Sequence, residues 1–197
     1  GKIPSEPQQP ERDFSDCVRL YKTLIARFGE SYRYADAVYY LLGYVQNEQA
    51  NDEEALDAWY KLVKRFPKSD YAPEAWLRVG EIHFEAGEFK EASEAYLAVG
   101  AFPNSSYYDK SLYKLGWTYF QLYEYDIAIK TFQKLIAWYD RTGKSGDVTA
   151  SALRQEAIDY LAMSLVEEDW NNDGLTDPDA GVERGLGYLA DGSTYET

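Results

Sequence analysis

Six positions able to offer oxygen ligands crowd one short stretch of this chain: Asp169, Asn171, Asp173, Leu175, Asp177 and Asp179. The run Asp169-x-Asn171-x-Asp173-Gly174 places side-chain oxygens at alternate positions, and the glycine permits a sharp bend, as a loop wrapping a hard cation requires. Leu175 would contribute its backbone carbonyl, and Asp177 would ligate directly or through water. The pattern departs at its end, where the bidentate glutamate expected eleven residues after Asp169 is Ala180. Asp179, one place earlier, is the substitute after a shift in backbone. Calcium is the cofactor this spacing calls for. The alternative is an Asx- and Gly-rich surface turn.

Other chemistry is sparse. The single histidine, His83, lies three residues after Gly80 and reads as a side chain buried between helices. The single cysteine, Cys17, takes a small-residue packing position, forms no internal disulfide and leaves the redox compartment open. There is no Cys/His set for zinc and no glycine-rich phosphate loop with lysine. The sequence therefore points away from an enzyme. With 34 acidic and 20 basic residues the formal net charge is −14. Phosphate backbones need Lys and Arg clusters, so nucleic acid is disfavoured, as is an anionic lipid surface. Basic partners or cations are favoured. No run of about 18 apolar residues occurs, so no membrane span is expected.

The elements that position these residues follow from a recurring spacing. A glycine, an alanine twelve residues on and an aromatic four further appear as Gly43/Ala55/Trp59, Gly80/Ala92/Tyr96 and Gly116/Ala128/Phe132. The glycines are 37 and 36 residues apart, near the ~34-residue period of helix–turn–helix tetratricopeptide repeats. Glycine and alanine allow close approach within a repeat, and the rings fill the gap between neighbouring repeats. Helix pairs are expected at 35–48 with 52–66, 73–86 with 88–100, and 108–122 with 124–139. The fold class is all-α: a right-handed superhelix of antiparallel helix pairs. Phe66-Pro67 and Phe102-Pro103 stop two second helices, and Ser69 and Ser106 are placed to cap the next ones. Residues 13–28 carry Phe14, Val18, Tyr21, Ile25 and Phe28 at helical spacing. Cys17 and Tyr21 there match the alanine and the aromatic, so this helix reads as the second half of a partial repeat.

The expected organisation is a disordered linker at 1–12, a partial and three full repeats at 13–139, and an irregular fourth repeat at 140–191. That fourth repeat contains the acidic loop 169–179, with Ala162 in place of the glycine and a helix resuming near Asp179. Residues 192–197 read as the start of a further segment, and the chain as part of a larger protein.

The linkers Phe66-Pro67-Lys68-Ser69-Asp70-Tyr71 and Phe102-Pro103-Asn104-Ser105-Ser106-Tyr107 resemble the Pro-x-Ser-x-Tyr joints of bacterial tetratricopeptide-repeat proteins of the cell envelope, such as the periplasmic Tol–Pal-associated type and outer-membrane assembly lipoproteins. The resemblance covers about 35–140, and Tyr139-Asp140-Arg141-Thr142-Gly143 departs from it. It implies a protein-binding scaffold in the bacterial periplasm or envelope, with a cytoplasmic setting as the alternative. Calcium-binding EF-hand variants lacking a leading helix look similar to the acidic loop.

In this family first helices line a concave groove. Positions three before and one after each glycine are then Tyr40, Tyr44, Leu77, Glu81, Tyr113 and Trp117. One turn further lie Asn47, Glu48, Phe84, Glu85, Phe120 and Gln121. None of the six leading positions is Lys, Arg or Asn, so the family's carboxylate clamp is not expected, and Glu81 would repel a carboxylate. Aromatic faces with acid suit an extended, basic or Pro-containing peptide. Two functions follow: an interaction scaffold using this groove, or an architectural spacer or self-assembling segment whose rings merely pack between helices.

Overall fold

The computed structural model describes residues 13–143, 148–167, 169, 174–176 and 180–190. Among these, every regular element is helical: α1 (Ser15–Phe28), α2 (Ala35–Glu48), α3 (Asp52–Arg65), α4 (Ala72–Glu85), α5 (Phe89–Ala98), α6 (Tyr108–Gln121), α7 (Tyr125–Thr142), α8 (Val148–Leu165) and α9 (Ala180–Ala190). The expected helix pairs are present, with α7 ending three residues later than read from the sequence. The chain divides into two compact units, Gly1–Tyr71 and Ala72–Thr197.

Each helix pair closes on a ring laid over a glycine. A Cβ added to Gly43 would lie 2.4 Å from Trp59 Nε1, one on Gly80 2.4 Å from Tyr96 Cε1, and one on Gly116 2.6 Å from Phe132 Cε1. Trp59, Tyr96 and Phe132 are at most 1% exposed, and Ala55, Ala92 and Ala128 are fully buried. The rings thus fill space within their own repeat in addition to the expected gap between repeats, where Tyr96 packs with Leu115 of α6. Phe132 does both, stacking on Tyr160 of α8 at 5.9 Å between centroids. Trp59 donates its indole N–H to the Tyr40 carbonyl at 3.2 Å. The Tyr96 hydroxyl is buried with no hydrogen-bond partner among the described residues. An unsatisfied buried hydroxyl costs about 1–3 kcal/mol. Tyr96→Phe will therefore be neutral or stabilising by up to ~1 kcal/mol in denaturant unfolding.

The turns inside the repeats share one geometry. Ala50, Gly87 and Tyr123 all have positive φ, at 57°, 76° and 61°. The following N–H reaches back five residues in each case: Asn51 to the Gln46 carbonyl, Glu88 to His83 and Glu124 to Tyr119, at 2.8–2.9 Å. This double-bonded helix end suits glycine, which has no Cβ to crowd the left-handed conformation. Ala50→Gly will raise stability by ~0.5–1 kcal/mol, read as a shift in urea midpoint at unchanged slope. His83, in the last turn of α4, is 9% exposed, and its Nδ1 lies 2.6 Å from Glu88 Oε2 of the turn that follows.

Between repeats the prolines act as expected: Phe66 and Phe102 leave the helix with nearly identical angles. Ser69 Oγ accepts the Tyr71 N–H at 3.2 Å. Its counterpart is Ser105, which accepts the Tyr107 N–H at 3.3 Å, and not Ser106. A second device recurs. Hydroxyls late in each repeat donate to an acid in the first turn of its first helix: Ser69 to Asp36 at 2.7 Å, Tyr107 to Glu74 at 2.5 Å and Tyr139 to Asp109 at 3.1 Å. Burial and the Glu74 bond push the Tyr107 hydroxyl up to about 12. The acids also sit at helix N-termini, where the helix dipole favours negative charge.

The fourth pair is looser. Ala157 and Ser164 are fully buried on α8, whereas Ala162 is exposed. Ala162 therefore does not take the glycine's place. The Arg184 guanidinium of α9 donates to the Leu165 and Glu167 carbonyls, closing the end of α8.

Candidate peptide-binding face

In unit 72–197, successive first helices bring their aromatic side chains together. Phe84 of α4 meets Trp117 of α6 at 4.9 Å between centroids, and Trp117 meets Tyr160 of α8 at 6.0 Å. Tyr113 and Phe120 approach Tyr160 from the same helix as Trp117, at 6.4 and 5.9 Å. All five rings are half-buried. Helical spacing explains the set, because positions three or four apart share a face. The rings form a contiguous, partly solvent-facing aromatic series (tilted and edge-on contacts are the favoured geometries).

One acid touches the series directly. Tyr113 donates to Glu156 Oε2 at 2.5 Å, and burial together with this bond raises its hydroxyl pKa. Glu81 lies 3.2 Å from Arg78, which also approaches Glu74 at 3.6 Å. The Glu81 charge is thus partly offset by a cation on its own helix, a contact the groove reading did not include. Glu85 is exposed and Gln121 half-buried. Leu77 is a correction: it is 5% exposed and packs with Ala92, Tyr96, Val99 and Leu115 in the core. Its position three before Gly80 turns it toward α5 and α6.

In unit 1–71, Tyr40 is half-buried and stacks on Tyr71 at 4.9 Å, and Tyr44 is 37% exposed. Asn47 donates to Asp52 at 3.0 Å, and Glu48 is exposed.

Of the loop positions, Asn171, Asp173, Asp177 and Asp179 lie outside the described residues. The Asp169 carboxylate accepts the Gly174 N–H at 3.1 Å, and Gly174 has φ +82°. Leu175 is exposed. Among the described residues no group of three or more His, Cys, Asp or Glu is placed to hold a metal ion.

Sequence reasoning missed Tyr160, Glu156 and Arg78. The signal for Tyr160 was available in Ala157 and Ser164, seven residues apart, which set the buried face of α8 with Tyr160 beside it.

Two family models, both described as tetratricopeptide repeat, match the chain, one at residues 37–69 and 110–139 and the other at 61–106. Together they span just over half of its 197 residues. No curated protein matches it. Among solved structures, a point-substituted form of a putative kinesin light chain with nearly identical TPR-like repeats from Podosopora anserina superposes with TM-score 0.59 at 14% identity, covering 93% of this chain and 89% of that one. A second structure of that kinesin light chain gives TM-score 0.54 at 13% identity, covering 94% and 98%. The MamA protein gives TM-score 0.52 at 24% identity, covering 84% and 88%. At these identities the likenesses speak to the fold alone. The helix pairs, the ring laid on a glycine in each and the family matches agree: this chain belongs to the tetratricopeptide-repeat proteins.

Proposed function

We propose that the chain is a non-catalytic protein-interaction scaffold whose aromatic series Phe84, Trp117, Tyr113 and Tyr160 seats an extended peptide, basic or Pro-containing. Tetratricopeptide repeats generally mediate protein–protein interaction, and this reading adds the ligand's chemistry. It is carried by the contact of half-exposed rings from three successive first helices. Rigid rings offer contact area at low entropic cost and stack on proline or on cations. Charge points the same way, since residues 72–197 hold 10 Lys and Arg against 22 Asp and Glu. The bacterial-envelope setting belongs to the same reading and rests on the Pro-x-Ser-x-Tyr linkers. Calorimetric titration with an Arg- and Pro-containing peptide tests it: binding is expected, lost in Trp117→Ala and absent for an acidic peptide of equal length. The competing reading is an architectural spacer, favoured by the cover that Tyr160 and Glu156 lay over Tyr113. A folded Trp117→Ala chain binding as well as the parent would decide for the spacer.

A structural calcium ion in the acidic loop is a second proposal, supported by the bond from the Gly174 N–H to Asp169 across the glycine bend. Calcium is expected to bind more tightly than about millimolar and to raise the melting temperature, with both effects lost in Asp173→Ala. No thermal shift would leave the loop as a surface turn.

A further inference from the structure

The left-handed turn position inside each repeat holds a small residue twice, Ala50 and Gly87, and a tyrosine once, Tyr123. The φ of Tyr123 is 61°, a conformation that a bulky side chain rarely takes. Packing does not explain it, since Tyr123 is 60% exposed. The turn does not require it either. Its hydrogen bonds come from backbone groups, the Tyr123 N–H on the Phe120 carbonyl at 3.1 Å and the Glu124 N–H on Tyr119 at 2.9 Å, and Gly87 makes the same turn in the repeat before. A side chain that neither buries itself nor serves its own turn is suited to a contact outside the chain.

The Tyr123 ring continues the aromatic series. Phe120, already against Tyr160, meets Tyr125 edge-on at 5.4 Å, and Tyr125 meets Tyr123 edge-on at 6.2 Å. Tyr125 is buried, so the series returns to the surface at Tyr123, just past the end of α6. Acid lies nearby. Burial raises the Tyr125 hydroxyl pKa, and Glu167, Tyr123 and Asp169 act in the same direction. Glu124, next to Tyr123 in the chain, is exposed. Arg184 donates to the Leu165 and Glu167 carbonyls and offsets part of this charge.

We propose that Tyr123 is a second anchor of the peptide face, seating a cationic side chain of the same peptide over its ring, with Glu124 and Glu167 as counter-charge. This rests on the peptide-binding reading above and adds a position and a register to it. An exposed ring face attracts a cation, and neighbouring carboxylates select against acid. Tyr123 lies six residues beyond Trp117. Along a helix that is about 9 Å, which an extended peptide spans in about three residues. The cation on Tyr123 therefore belongs about three places from the peptide residue on Trp117.

The test is calorimetric titration of the whole chain with three peptides of equal length. The first carries one Arg-Pro pair, and the other two add an arginine three places before or after it, where the first has glutamine. One of the two added arginines is expected to tighten binding about three- to fivefold, the size of an exposed cation–π contact. The gain should persist in Tyr123→Phe, which keeps the ring, and vanish in Tyr123→Gly. Tyr123→Gly should also unfold at a higher urea midpoint with unchanged slope, because glycine relieves the left-handed backbone. A gain that survives in Tyr123→Gly, no gain from either arginine, or a lowered midpoint would overturn the proposal. If any of these accompanies single-arginine binding that is lost in Trp117→Ala, the peptide face stands without its second anchor. Failure of all three peptides to bind would remove both.

Discussion

Gly80→Ala will lower the stability of the chain by about 1–3 kcal/mol, the usual cost of forcing a methyl group into a packed core. Helix propensity taken alone predicts the opposite sign, because alanine is favoured over glycine by about 1 kcal/mol inside a helix. Packing wins here on distance. The new Cβ would stand 2.4 Å from Tyr96 Cε1 and 2.6 Å from Cδ1. Tyr96 is 1% exposed and enclosed by Leu77, Ala92, Val99 and Leu115, so its ring has nowhere to go. The two helices must part, and fully buried Ala92 loses its contacts with them. Gly100→Ala is the control: a Cβ there meets nothing within 4 Å, and the change should be close to neutral. Urea unfolding of both variants measures the difference. A stabilised Gly80→Ala chain would mean that the ring does not rest on that glycine.

Trp117→Ala will weaken peptide binding by about thirtyfold or more, the effect of removing an aromatic anchor worth ~2 kcal/mol. Its fold should survive. Trp117 is half-buried, whereas the rings that lock the repeats, Trp59, Tyr96 and Phe132, are at most 1% exposed. Phe132→Ala should show the reverse pattern, since it empties a core position and costs about 3–5 kcal/mol of stability. The two variants separate binding from packing, although both rings touch Tyr160.

The repeat architecture is legible in the sequence because it rests on a few side chains at fixed local spacing. Gly80, Ala92 and Tyr96 lie within seventeen residues of one another, and volume alone dictates how they meet. Pro67 and Pro103 mark helix ends for an equally local reason. Legibility fails where the answer depends on a distant neighbour. Leu77 reads as a groove residue from its own helix, but α5 and α6 bury it. The hydroxyl-to-acid bonds join residues 30 to 33 apart, beyond the reach of any helical pattern. After Gly143 the period breaks, and counting from Gly116 to Ala162 lands on an exposed position of α8. Tyr160, which joins the rings of α6 and α7, was lost through that slip.

The claim that unit 72–197 binds peptide on its aromatic series is tested most directly by chemical-shift mapping. An Arg- and Pro-containing peptide is added to the labelled chain while the indole N–H signals are followed. The Trp117 indole and the backbone around Phe84, Tyr113 and Tyr160 should shift together and saturate at one dissociation constant. Shifts confined to the second helices α5 and α7, or none at saturating peptide, would contradict the claim.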